Sequence, residues 1–173
     1  VGSAIGIRRT DTDITNCVIS NNSSGRGAIY IHDADVSISN TLIANNTTSN
    51  PANNYGAIYN WYGVNLTLDK VTFANNTKSA IHNDGNDANI TITNSIFWNQ
   101  SANEEISNYS LGNSVTVSYT NLWYYYCDNP SENMPADCSN LIYENPQFND
   151  DYSLQSSSPC IDAGDPSSPL DPD

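Results

Sequence analysis

Apolar side chains recur along the chain in short alternating runs, and the runs themselves repeat. Four segments align without gaps: Ile14–Asn22, Ile38–Asn46, Leu68–Asn76 and Ile92–Gln100, with a weaker fifth copy over Val117–Tyr124. They begin at positions 14, 38, 68, 92 and 117, spacings of 24, 30, 24 and 25. The long interval holds Thr47–Tyr55, rich in Asn, Thr and Pro, which reads as a loop inserted at one corner. A shorter element precedes the first four copies: Ala4–Ile7, Gly27–Tyr30, Gly56–Tyr59 and Ser79–His82. Each passage therefore predicts three short strands separated by polar corners, and such a period is one turn of a solenoid.

The columns that this alignment creates have physical sense. Ile14, Ile38, Leu68, Ile92 and Val117 form one apolar stack; Ile19, Ile43, Phe73, Phe97 and Leu122 form a second; Ile5, Ile29, Ile58 and Ile81 form a third. Alternation along a strand turns Cys17, Thr41, Val71, Ser95 and Thr120 inward as well. Asn21, Asn45, Asn75 and Asn99 fall in one further column, where stacked amides could donate to one another as a ladder. The N-x-Ser/Thr triplets here, such as Asn45-Asn46-Thr47, read as products of this pattern rather than glycosylation sites. The fold expected is all-β, a right-handed parallel β-helix of about five coils. Residues 1–126 would form the coils, 127–163 a disulfide loop and C-terminal cap, and 164–173 an acidic, Pro-rich tail.

Composition narrows the function. The 173 residues carry 19 acidic and 5 basic side chains, a formal net charge of −14. A nucleic-acid binder needs a basic footprint, which is missing. No apolar run is long enough for a membrane-spanning helix. Cys127 and Cys138 bracket an irregular loop and are expected to form a disulfide; Cys17 and Cys160 are far apart in sequence and read as free thiols.

The repeat resembles the right-handed parallel β-helix repeats of secreted and cell-surface bacterial proteins. The phrase from Tyr152 to Pro166, with Ser158-Pro159-Cys160-Ile161-Asp162-Ala163-Gly164-Asp165-Pro166 at its end, looks like the segment that closes such helices. The resemblance implies an extracellular or cell-surface location. It does not fix an activity, because such folds include lyases, hydrolases and adhesins.

Candidate chemistry is sparse. None of Arg8, Arg9, Arg26, Lys70 and Lys78 sits in a recognisable catalytic motif. His32-Asp33-Ala34-Asp35 and His82-Asn83-Asp84 are the best acid/base candidates, but two coils separate them. Asp11, Asp35, Asn65, Asn89 and Ser114 share a column three residues before each stack leader, with Asp13 and Asp33 close by. Hard oxygen donors in loops suit calcium, so Asp11, Asp13, Asp33 and Asp35 are the candidate ligands; the competing reading is that turn acids bond nearby backbone. No other cofactor is implied. Aromatic residues are the remaining resource: Tyr30 and Tyr59 read as an open outward column, Trp61 and Tyr62 adjoin it, and Trp98 and Trp123 share another that the Cys127–Cys138 loop would cover. Such platforms suit sugar rings. The leading expectation is a non-catalytic structural or adhesive module that binds glycans, or that associates through, or continues from, an uncapped N-terminal face. The alternative is a polysaccharide lyase or glycoside hydrolase, or a fragment of one.

Overall fold

The computed structural model describes residues 3–48, 55–62, 65–84, 87–100, 105–108, 112–123 and 136–169. Every paired strand in the coils is parallel to its neighbours, and the chain winds as a β-solenoid with three faces. The first face stacks Ile5–Arg8, Ile29–His32, Ile58–Trp61, Ile81–Asn83 and Ile106–Asn108. Passing down these five strands makes four turns. The second face begins with Thr12–Thr15 and ends with Ser114–Ser118 and Ala136–Ser139. The third runs from Val18–Ser20 to Ile96–Trp98 and Asn121–Leu122. Val36–Ala44 and Asn65–Ala74 each cross from the second face to the third as one continuous strand.

The three apolar columns stand in the expected register: Ile5↔Ile29↔Ile58↔Ile81, Ile14↔Ile38↔Leu68↔Ile92↔Val117 and Ile19↔Ile43↔Phe73↔Phe97↔Leu122. They form one narrow core in which Phe73 and Phe97 stack at 4.6 Å. The bend from second to third face is made by Asn16, Asn40, Lys70, Asn94, Tyr119 and Asn140, all at positive φ. Asparagine tolerates that left-handed conformation better than most residues, which explains its use here. The next residue then faces inward. Thr41, Ser95 and Thr120 are buried there and donate their hydroxyls to the carbonyls of Ser39, Thr93 and Ser118. Where the third face turns into the first, coils come close. A Cβ on Gly27 would lie 2.3 Å from the carbonyl oxygen of Gly56, so only glycine fits.

The asparagine ladder is present, but its rungs differ from the sequence expectation. Asn22 donates Nδ2 to Asn46 Oδ1 at 3.0 Å, Asn46 to Asn76 at 2.9 Å and Asn76 to Asn99 at 3.0 Å. Asn21, Asn45 and Asn75 instead make the corner, at φ 58°, 55° and 52°. A left-handed residue redirects the chain so that the residue after it points inward. The fourth coil is one residue shorter at this corner. Trp98 leads directly into Asn99, so Asn99 takes the ladder position that Asn76 holds one coil earlier.

Beyond Asn140 the chain does more than cap the last coil. Leu141, Tyr143 and Cys138 pack against the end of the core as a partial further coil. The chain then doubles back along the third face. Tyr152 donates its hydroxyl to Asn45 Oδ1 at 2.8 Å and accepts from Asn75 Nδ2 at 3.0 Å. Ala44 and Ala74, which precede those asparagines, are buried although alternation points them outward; their small side chains leave room for the returning segment. Residues 164–169, read from sequence as part of a tail, are also docked. The Asp165 amide donates to Asn94 Oδ1 at 2.7 Å, and Lys70 Nζ donates to the Pro169 carbonyl at 3.1 Å.

Candidate functional site

The outward side of the first face gathers Tyr30, Tyr55, Tyr59, Trp61, Tyr62, His32 and His82 into one connected cluster of rings. Two outward columns run down it. One holds Gly6, Tyr30, Tyr59, His82 and Ser107; two residues further along each strand, the other begins Arg8, His32, Trp61. Asp84 continues this second column, because its amide donates to the Asn60 carbonyl, the bond made by a partner of Trp61.

Tyr30 and Tyr59 do not form the open pair expected from alternation. They are 8% and 5% exposed. Tyr55 stacks on Tyr59 at 4.3 Å, and Trp61 packs beside Tyr30 at 6.4 Å. Alternation decides which side of a sheet a residue takes, not what lies over it. Tyr62, at 60% exposure, and half-buried Trp61 carry the accessible ring surface, meeting at 6.3 Å and nearly perpendicular. His32 packs 4.8 Å from Trp61. Asp84 is exposed; its Oδ2 accepts the Tyr59 hydroxyl at 3.2 Å. Burial chiefly, then the Asp84 charge, push the Tyr59 hydroxyl well above the ordinary tyrosine range, so it stays protonated and donating.

The other predicted aromatics part company. Trp98 is buried and Trp123 is 39% exposed, their rings edge to face at 4.8 Å. Phe148 and Tyr152 of the returning segment line a depression with Trp98, so this segment lies over it. Most of the loop expected to do so, with Cys127 and hence the proposed Cys127–Cys138 bond, lies outside the described residues. Cys17 and Cys160 are free thiols. Burial raises the Cys160 thiol, which sits 2.9 Å from Asn121 Nδ2.

The turn acids are engaged with one another's coils. Asp11 Oδ1 accepts the Asp35 amide, Asp35 Oδ1 accepts both the amide and Nδ2 of Asn65, Asn89 donates to Asn65, and Ser114 to Asn89. This is a second ladder, exposed, made by the predicted column. Asp33 pairs with Arg9 at 3.3 Å, and Asp13 points to solvent. Among the described residues no three His, Cys, Asp or Glu side chains gather as a metal site would require. His32 and His82 lie in different columns two coils apart and do not converge.

Sequence reading missed Glu105. It is 1% exposed and ends the inner ladder: Asn99 donates its amide to Oε1 at 2.8 Å and its Nδ2 to Oε2 at 2.7 Å. Both of its oxygens accept from Asn99, so it terminates a chain of amides that each donate forward. The available signal was an acid six residues after the last ladder asparagine, where no further Asn-Asn pair follows. A second inner pair also escaped notice. Asn60 and Asn83 are fully buried below Ile31 in the core of the first face, Asn60 donating to Asn83 at 2.9 Å.

Compared with protein-family models, curated proteins and solved structures, the chain finds no match. Among the described residues no helix is long and apolar enough to cross a membrane.

Proposed function

We propose that the chain is a non-catalytic structural and adhesive β-solenoid of the cell surface or extracellular space that recognises glycans on its first face. One observation carries this reading. An accessible ring pair, half-buried Trp61 and exposed Tyr62, stands on a stack of parallel strands, and the exposed Asp84 carboxylate follows Trp61 in the same column. A sugar offers an apolar ring face to an aromatic platform and hydroxyls to a nearby acceptor. Trp61→Ala should weaken binding to any oligosaccharide selected on a glycan array by at least tenfold, with the circular dichroism spectrum unchanged. Equal binding by variant and parent would refute the site. Turnover of polysaccharide by the same preparation would instead favour the enzymatic alternative.

The resemblance of the closing segment to those of secreted β-helix proteins supports the location, as would a Cys127–Cys138 disulfide. A second observation favours a structural role. Among the described residues the strands Ile5–Arg8, Thr12–Thr15 and Val18–Ser20 each pair on one side only, while the partial last coil packs against the other end. Such an edge is a template for further strands, whether upstream coils or a second copy. Light scattering that rises with protein concentration, and is lost on Ile5→Lys, is the expected result for self-association. A constant monomer mass would leave the edge to other coils.

A further inference from the structure

The aromatic face also concentrates the chain's scarce positive charge at its N-terminal end. Of five basic side chains, three stand there. Arg8 adjoins His32 in register, Arg9 follows it at the corner, and Arg26 lies over the Tyr30 ring with its Cζ 5.3 Å from the centroid. Arg9 is spent on Asp33. Arg8 and Arg26 are exposed, and neither pairs with a carboxylate among the described residues. Beside them are two polar atoms that are buried without a hydrogen-bond partner, Tyr30 Oη and His32 Nδ1. A net charge of −14 repels anions from the surface as a whole, so two unpaired guanidinium groups beside idle polar atoms are a local exception.

Resting on the reading of this face as a glycan site, we propose that its ligand is an acidic oligosaccharide. Its anionic group, a carboxylate or a sulfate ester, is held by Arg8 and Arg26; a ring stacks on Trp61 and Tyr62; and a hydroxyl further along donates to Asp84. The column Arg8, His32, Trp61, Asp84 spans three inter-strand steps, about 14 Å at the usual spacing of about 4.8 Å. That is longer than one sugar ring, so the site takes an oligosaccharide rather than a monosaccharide. The same length exceeds the Debye length of about 8 Å in physiological salt, so Asp84 does not cancel the attraction at the Arg8 end. Guanidinium suits this task because its planar donors match the paired oxygens of carboxylate and sulfate.

The test is calorimetric titration of the whole chain with three oligosaccharides of equal length: neutral, uronic acid and sulfated. The acidic ligands should bind at least tenfold more tightly than the neutral one, and more weakly as salt rises. In the double variant Arg8→Ala/Arg26→Ala the preference should fall to about one, while Trp61→Ala should weaken all binding. Preference for the uronic acid or for the sulfated ligand identifies which anion is read. Equal binding of neutral and acidic ligands, still sensitive to Trp61→Ala, would overturn the acidic assignment and keep the glycan site. An acidic preference that survives the double variant would overturn the role of the two arginines. Acidic binding indifferent to Trp61→Ala would be charge adsorption and would also overturn the proposal. Silence with all three ligands would overturn the glycan reading as well.

Discussion

Asn76→Ala lowers the free energy of unfolding by about 3 kcal/mol, read from urea melts, because it breaks the inner ladder at its centre. The Asn76 side chain is fully buried and serves both neighbouring coils. Its Oδ1 accepts from the amide and the Nδ2 of Asn46, and its Nδ2 donates to Asn99 and to the Ile43 carbonyl. Alanine leaves the Asn46 amide and the Ile43 carbonyl without these partners inside a buried corner, and an orphaned buried polar group costs about 1–3 kcal/mol. Asn75→Gly is the control. It keeps the left-handed corner and removes one exposed bond, to Tyr152, so its cost is expected at about 1 kcal/mol or less. Equal losses in the two variants would mean that the ladder does not run through Asn76.

Glu105 gives the second large effect, a pH dependence. Burial raises its carboxyl from the ordinary 4.5 to about 7, while the two donors of Asn99 pull the other way and only partly offset it. The folded chain thus holds this proton more tightly than the unfolded chain does. The stabilisation is complete below pH 4.5 and is lost as the pH rises to about 7. A displacement of this size corresponds to about 3 kcal/mol. Glu105→Gln removes this group's share of the slope across that window, so the parent-minus-variant difference in stability should fall by about 3 kcal/mol between pH 4.5 and 7. Other carboxylates enter both proteins alike. Ser153 and Ser167 hold Asp151 and Asp165 below the ordinary range, and those contributions cancel in the difference. Parallel curves would remove Glu105 as a titrating buried group.

The coils were legible in the sequence because their cause is local and repeated. Alternation picks the inward residues, and one narrow core shared by three faces leaves little choice of register. The inner ladder was legible only to within one residue. Asn21-Asn22, Asn45-Asn46 and Asn75-Asn76 each offer two amides, and backbone handedness decides which turns inward. Trp98-Asn99 hid a one-residue shortening that a gapless alignment cannot show. Tyr30 and Tyr59 were placed on the correct side of their strands, but their cover comes from Tyr55, Trp61 and other neighbours that no period predicts. The sequence reads the returning segment as a cap and tail because its anchors are scattered hydrogen bonds to Asn45, Asn75 and Asn94, and nothing in its own composition announces them.

That returning segment also changes how the solenoid comes apart. In a stack whose coils touch only their neighbours, opening begins at an end and proceeds one coil at a time. Here Tyr152 is bonded to Asn45 and Asn75, Cys160 to Asn121, and Asp165 to Asn94, so one stretch of chain grips four successive coils. Peeling the last coil must first release contacts far from it in sequence. Those contacts span up to 107 residues, and the entropy of closing such a loop must be met before they form. The consequence is a domain that assembles late and slowly on its C-terminal side, but that opens as a single cooperative unit instead of fraying.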